Sequence, residues 1–420
     1  DVDNLSLHTK FADEAICIGP ANSSKSYLNI PAIIAAAELT NADAIHPGYG
    51  FLSENPDFSE ICTDNDLTFI GPSSHIIQTM GNKSKAKETM KKIGVPVIPG
   101  SNGNVDSLEE GLRVAEEIGF PIIIKATSGG GGRGMRVVNT IDEFELAYNT
   151  ATSEAKISFN DSSVYIEKYF TSPKHIEIQI IADSNYNAYS LLDRECSVQR
   201  RHQKIIEESP APILSNETRD EMSNISIKAV KEIGYIGVGT IEYLYDIDTD
   251  KFYFMEMNTR IQVEHPVTEM ILNYDIVKNQ ILCHAGFSLP DWLSNIKPRG
   301  HSIECRINAE DPSKNFMPSP GTITSLHLPG GNGVRVDTHI YSGYTIPSTY
   351  DSMIAKVIVH APSRNEAINK MSSVLNECVI EGISTTIPFQ KSILTQLEFT
   401  NGKYTTNFLN TFEYKEDNNE

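Results

Sequence analysis

The sequence predicts a multi-domain protein of mixed α/β and α+β class, with an N-terminal parallel α/β unit, a small αβ module and a large C-terminal region. Three observations predict it. Short β-like runs alternate with helical stretches at the start, a fully apolar strand runs into a glycine-rich loop in the middle, and apolar strands separated by long helices fill 171–420. A chain of 420 residues also exceeds one ordinary compact domain, so two or three packed units are expected.

In order along the chain, β-like runs at 14–18, 42–46 and 67–70 alternate with helical stretches at 29–39 and 55–65. Each run ends in turn chemistry (Gly19-Pro20, Pro47-Gly48-Tyr49-Gly50, Gly71-Pro72), where ligands approach parallel sheets. This first domain covers 1–82, and a helical linker follows over 83–96. A module over 97–170 holds a helix near 107–118, a strand at 121–126 entering the glycine run, a strand at 135–138, a helix at 141–155 and a strand at 163–169; it looks like a lid. The remainder, 171–420, carries strands at 176–181, 239–245, 252–257 and 354–360, with helices near 216–233 and 364–378. The polar end of the chain, 413–420, is expected to fray.

Hydrophobic residues at 40% and charged residues at 21% are ordinary for a globular protein and argue against extended disorder. The net charge of −20 would repel a polyanion, so nucleic acid is not an expected partner. Six widely spaced cysteines form neither a Cys-x-x-Cys pair nor a secreted framework, which fits a reducing cytoplasm. No apolar run approaches the roughly 20 residues needed to span a bilayer, so no membrane is expected. The chain begins at Asp1, which hints at sequence upstream.

The run Gly129-Gly130-Gly131-Gly132-Arg133-Gly134 places five glycines in six positions. Backbone N–H groups unobstructed by Cβ can wrap phosphate oxygens, although a flexible hairpin would read the same way. Lys125 ends the preceding strand and favours an anion, because a buried Lys is costly without one. Lys83 is either a second such cation or a surface helix residue.

Glu242 lies on one strand and Glu256 and Asn258 on the next, separated by a turn near 246–251. Glu256 and Asn258 are two apart and share a strand face. Carboxylate and amide oxygens suit Mg²⁺ that bridges nucleotide phosphates; the alternative is an acidic solvated face. Arg260-Ile261-Gln262-Val263-Glu264-His265 follows, dense in groups that hold oxyanions or move protons. Arg200-Arg201-His202-Gln203-Lys204 is a second cationic cluster, open to a reading as a solvated basic loop.

The glycine run with Met135, the segment Arg200–Glu208 (RRHQKIIEE), Phe254–Thr268 (FMEMNTRIQVEHPVT), His46–Glu54 (HPGYGFLSE) and Tyr350–Met353 (YDSM) together closely resemble biotin carboxylase, a family of ATP-grasp enzymes. The match is colinear over essentially the whole chain. It implies an incomplete pre-ATP-grasp N-terminal domain lacking its leading βα unit, an ATP-grasp lid, and a large core with the C-terminal domain. ATP is then expected between lid and core, contacted by Lys83, Lys125, Gly131, Gly132, Glu167, Lys168, Tyr169, Phe170, His175 and His202. Phe170 stands where relatives often carry Leu or Ile, and an apolar adenine contact survives the change.

The same resemblance makes Glu242, Glu256 and Asn258 the positions for Mg²⁺, or Mn²⁺ in its place. Lys204, Arg260, Gln262 and Val263 match the bicarbonate site. Glu264 matches the base, and Arg335 is matched to the residue that steadies the biotin ureido oxygen. It further implies biotin on a biotin carboxyl carrier protein, carboxyltransferase subunits as partners and a homodimer. The reaction is expected to serve acetyl-CoA carboxylase, or else pyruvate or another acyl-CoA carboxylase; the end of the chain soon after the pattern closes favours a free subunit. Another ATP-grasp ligase, or a catalytically silent ATP-binding module, is the competing reading.

Overall fold

The computed structural model describes residues 1–127, 135–159 and 161–414. Its principal elements, in chain order, begin with α1 (Ile30–Leu39), β1 (Ala44–Ile45), α2 (Pro56–Asp64) and β2 (Thr68–Phe69). Then come α3 (Lys83–Ile93), α4 (Leu108–Ile118), β3 (Ile122–Ala126), β4 (Met135–Val138), α5 (Phe144–Phe159) and β5 (Val164–Lys168). The strands β6 (Lys174–Ala182), β7 (Ala188–Arg200) and β8 (Gln203–Ser209) precede α6 (Asn216–Glu232), β9 (Gly237–Asp246) and β10 (Lys251–Asn258). The chain continues with α7 (His265–Leu272), β11 (His301–Asn308), β12 (Val334–Thr338), β13 (Met353–Ala361) and α8 (Arg364–Glu377).

The chain divides into two compact units. One gathers Asp1–Ala86, Lys174–Tyr243 and Glu256–Glu420, and the other Lys87–Pro173 with Leu244–Met255. The second therefore draws in residues on both sides of 97–170 and the outer ends of β9 and β10.

Local chemistry accounts for the helices. Asn29, Asn55, Ser107, Ser215 and Ser363 each accept a backbone N–H at a helix N-terminus, and α1 and α2 also carry Pro in their first turn. In the smaller unit, β4-β3-β5 form an antiparallel sheet in which Ile122 lies opposite Val138 on one side and Lys168 on the other. α4 and α5 cover it, burying Ile122, Ile124, Val138, Phe144, Ala151, Val164 and Ile166 in one cluster.

In the larger unit an eight-stranded sheet runs in the order β10-β9-β6-β7-β8-β11-β13-β12. Every residue of β6 is buried, and its polar residues His175, Glu177 and Gln179 alternate with Ile176, Ile178 and Ile180. That alternation brings a polar row onto one face of the sheet, while the face of Ile176 carries its own buried ion pair, Lys174 with Glu195 at 2.9 Å.

Residues 14–18, expected as a strand, form none and pair with no strand among the described residues. A strand requires a neighbour for its backbone groups and apolar side chains; here Glu14, Ala15, Ile16 and Cys17 are exposed. The parallel arrangement of the first domain is carried by β1 and β2 alone, with Ala44 opposite Thr68.

Ile124→Ala removes a fully buried side chain from the sheet under α4 and α5. The expected cost is about 2–5 kcal/mol, measured as the loss of unfolding free energy in urea.

Candidate active site

The centre of the polar face is Lys204, at the start of β8. Its ammonium donates to Glu177 Oε2 at 2.6 Å, Glu242 Oε1 at 2.8 Å and Glu264 Oε1 at 2.6 Å. The four side chains come from β8, β6, β9 and the N-terminus of α7. Burial disfavours the Lys204 ammonium, but the three carboxylates outweigh it and push its pKa well above the ordinary value.

The acids respond in kind. Burial would raise Glu264, yet Lys204 and Arg306 hold it well below the usual carboxylate range. Glu242 is depressed likewise, by Lys204 and His175 against burial. Glu264 occupies the N-cap position of α7 without capping it through its side chain, since its carboxylate turns to Lys204 and to Arg306 Nη2 at 2.9 Å. His175 Nε2 lies 3.2 Å from Glu242 Oε2; burial would lower its pKa, and Glu242 raises it instead.

The hairpin that delivers Lys204 is unusual. Arg200 pairs with Gln203, and the two intervening residues, Arg201 and His202, both have positive φ, of 51° and 66°. This is a two-residue turn of the kind that favours Asn and Gly, so the backbone holds a conformation costly for these side chains at the edge of the cluster. The cationic stretch is thus two strand ends joined by a tight turn, with His202 exposed at its tip.

Beside Glu242, Asn258 donates its amide to Glu242 Oε1 at 2.9 Å and accepts from Arg260 Nη2 at 3.0 Å. Arg260 also reaches Glu54 Oε2 at 2.9 Å. Gln262 Nε2 donates to the same Glu242 oxygen at 2.9 Å. Glu256 lies near enough to Glu242 that burial and this second carboxylate raise its pKa, and its cationic neighbour is the exposed Lys83 at 3.7 Å. Two carboxylates pressed together with an amide oxygen are the donor set of a hard divalent cation, which would relieve their repulsion. A different acidic cluster, His175, Glu177 and Glu242 with donor atoms within 4.8 Å of one another, already has the Lys204 ammonium beside it.

A cavity of about 810 Å³ opens on this group and is lined by Lys204, Val263 and Arg306, with Phe51, Tyr49 and Tyr344 among its aromatic walls. In the smaller unit, Lys125 and Lys87 each donate to Glu167 at 2.7 Å, and Phe170 stacks at a tilt on Tyr253 with ring centroids 5.1 Å apart. Burial opposes the Glu167 charge, but the two lysines lower its pKa.

Comparison with known proteins decides the family. Family models match in three consecutive segments: biotin carboxylase, N-terminal domain (1–77), carbamoyl-phosphate synthase L chain, ATP binding domain (82–292), and biotin carboxylase C-terminal domain (304–411). Biotin carboxylase 1 of Bacillus subtilis is 52% identical over 98% of this chain and 92% of its own. The chain belongs to the biotin carboxylase family. It is an ATP-dependent ligase of ATP-grasp fold that carboxylates biotin.

Among solved biotin carboxylases, the beta-gamma-ATP complex from Campylobacter jejuni is 52% identical, with a TM-score of 0.89 and coverage of 98% and 92%. The biotin carboxylase domain dimer of Hydrogenobacter thermophilus 2-oxoglutarate carboxylase, in complex with MgADP, ADP and bicarbonate, is 45% identical, with a TM-score of 0.88 and coverage of 99% and 92%.

Within this biotin carboxylase fold, His175, Lys204, Glu242, Glu256, Asn258, Arg260, Gln262 and Glu264 come together as the sequence suggested. Val263 lines the cavity with Lys204 and Arg306, and its carbonyl accepts from Lys356 Nζ at 2.8 Å. Arg335 does not join. It sits on β12, bound to Glu269 Oε2 at 2.6 Å and to both oxygens of Asp337 at 2.8 Å, so its fork is already filled away from Glu264. The arginine against Glu264 is Arg306 on β11, which Glu207 also holds at 2.6 Å.

Lys168 donates to the carbonyls of Gly119 and Phe120 just past α4, and the Tyr169 backbone N–H donates to Pro121. Gly131 and Gly132 lie outside the described residues. Sequence reasoning missed Glu177, Arg194 and Arg306. The available signal was an acid or arginine alternating with apolar residues on a strand: Ile176-Glu177-Ile178 and Cys305-Arg306-Ile307.

Lys204→Met would leave three buried carboxylates without their shared cation. Glu242 and Glu264 are depressed in the folded state, so the stability they contribute is present above about pH 4.3, the unfolded value, and is lost as pH falls toward their folded values. The variant is expected to lose about 3–5 kcal/mol at pH 7, with the gap to wild type narrowing below about pH 4 in urea melts.

Proposed function

We propose that the chain catalyses ATP- and bicarbonate-dependent carboxylation of biotin presented on a biotin carboxyl carrier protein, as the first half-reaction of acetyl-CoA carboxylase. The observation that carries this reading is the Lys204 cluster with Glu264 and Arg306 at the mouth of the aromatic cavity. An anion entering there meets the cations Lys204 and Arg306, with the ionised carboxylate of Glu264 bonded to both.

Lys204, Arg260 and Gln262 hold bicarbonate, and Glu264 takes its proton. The cations that keep Glu264 ionised also acidify a bicarbonate bound among them, which compensates for the weak basicity of a depressed carboxylate. The freed oxyanion attacks the γ-phosphorus of ATP, giving carboxyphosphate and ADP. Carboxyphosphate yields CO₂ and phosphate; phosphate takes the biotin N1′ proton, and the enolate-like ureido captures CO₂. Arg306, which lines the cavity, steadies that oxygen. Glu242, Glu256 and Asn258 would hold Mg²⁺ or Mn²⁺, which supplies charge neutralisation at the transferring phosphate.

On the smaller unit, Lys125, Glu167 and Phe170 contribute nucleotide contacts, and Gly131 and Gly132, outside the described residues, are proposed as phosphate contacts. Lys83, Lys168, Tyr169, His175 and His202 complete the proposed ATP contacts. A homodimer is supported by the dimeric 2-oxoglutarate carboxylase domain. That neighbour also favours a second reading of the pathway, in which carboxybiotin serves a keto-acid carboxylase in place of acetyl-CoA carboxylase. The carboxyltransferase partner sets that choice. A cytoplasmic location fits six free cysteines and the absence, among the described residues, of a helix long and apolar enough to cross a membrane.

ADP release measured with MgATP, free biotin and bicarbonate tests the reading; turnover indifferent to both bicarbonate and biotin would sink it. Glu264→Gln is expected to bind ATP as wild type does while losing at least about 100-fold in biotin carboxylation. Arg306→Met should cost at least about tenfold more biotin-dependent turnover than Arg335→Met, and equal losses would return Arg335 to the site.

A further inference from the structure

Arg194 on β7 is fully buried, and the mechanism above gives it no task. Five hydrogen bonds use its five N–H groups: Nε to Glu177 Oε1 at 2.5 Å, Nη1 to Gln179 Oε1 at 2.6 Å and Thr268 Oγ1 at 3.1 Å, and Nη2 to Thr240 Oγ1 at 3.1 Å and Gln262 Oε1 at 2.8 Å. A buried guanidinium is tolerated only when each donor is met, and here the acceptors come from β6, β9, the loop before α7, and α7 itself.

Two of those acceptors belong to the reactive group. Glu177 gives one oxygen to Arg194 and the other to Lys204. Gln262 gives its carbonyl to Arg194, and its amide nitrogen donates to Glu242. A reversed Gln262 amide would set its NH₂ against the guanidinium and its oxygen against the Glu242 carboxylate, both repulsive. Arg194 therefore decides which end of the amide an incoming anion meets. It also limits Glu177 to one oxygen on Lys204, so that the ammonium is shared among three acids and not captured by one.

We propose that Arg194 is a positioning residue for bicarbonate: its five-point grip fixes the Gln262 amide with its oxygen on the guanidinium and its nitrogen toward Glu242, and holds Glu177 to one oxygen on Lys204, a place an entering anion can take. This rests on the bicarbonate reading of the Lys204 site. Lysine cannot substitute, because a point charge with three donors cannot hold Glu177 and Gln262 while also satisfying Thr240, Thr268 and Gln179.

Steady-state kinetics of Arg194→Lys, varying bicarbonate and MgATP separately with free biotin, tests it. The expected result is a rise of about tenfold or more in KM for bicarbonate, with KM for MgATP within about twofold of wild type. Thr268→Val touches the same guanidinium through Nη1, away from Gln262, and is expected to lower Tm without moving the bicarbonate KM. Equal shifts in both KM values for Arg194→Lys, or a bicarbonate shift in Thr268→Val as large as in Arg194→Lys, would overturn the assignment. Should Arg194→Lys fail to fold, Thr240→Val loosens the Nη2 edge beside Gln262. A rise of about threefold in bicarbonate KM alone supports the proposal, and no rise overturns it. Wild-type turnover that ignores bicarbonate would remove the parent reading; bicarbonate-dependent wild type with an unchanged Arg194→Lys would remove the role of Arg194 only.

Discussion

One ammonium facing three carboxylates is the constraint around which the larger unit is arranged. Lys204 is almost withdrawn from water, and neither it nor Glu177, Glu242 and Glu264 could remain charged there alone. Each acid is delivered by a different element, so the sheet order β9-β6-β7-β8-β11 is also the order in which charges must be brought together. Arg194, directly across from Glu177 on the neighbouring strand, and Arg306, bonded to Glu264, extend the same compensation. A site of this kind is rigid because every member is already engaged, and poised because an entering anion can take the place of a carboxylate on Lys204 or Arg260.

The same reasoning explains how a chain with a net charge of −20 handles anionic substrates. The field of the whole protein repels them, and the attraction is local: Arg200, Lys204 and Arg306 line one cavity, while Lys87 and Lys125 flank Glu167 on the smaller unit. Glu256, raised by burial and by Glu242, has only the exposed Lys83 as an ion-pair neighbour among the described residues, so that a metal ion has a charge to neutralise there. The aromatic side of the cavity, with Phe51 stacked on Tyr27, offers an apolar body to a ring whose polar edge would point toward Arg306.

Much of this was legible in the primary sequence. Helical stretches near 107–118, 216–233 and 364–378 were marked, and alternation or continuous apolar runs marked the strands of the large sheet, because those signals depend on neighbours within a few residues. The strand expected at 14–18 did not form, since pairing is not a local property. Spacing on one strand joined Glu256 to Asn258, and the segment from Arg260 to Glu264 carried its chemistry in five adjacent positions.

What the sequence by itself determined was the family, the helices, the main strands and the identity of the groups that act together along short stretches. Only the tertiary structure showed that Arg306 contacts Glu264 while Arg335 contacts Glu269 and Asp337. Which of them faces Glu264 depends on how β11 and β12 enter the sheet, and which has a free fork depends on Glu269 and Asp337. It alone also showed Glu177 and Arg194 bracing the site, because a buried ion is recognised by the acceptors that surround it, and those lie on strands far apart in the chain.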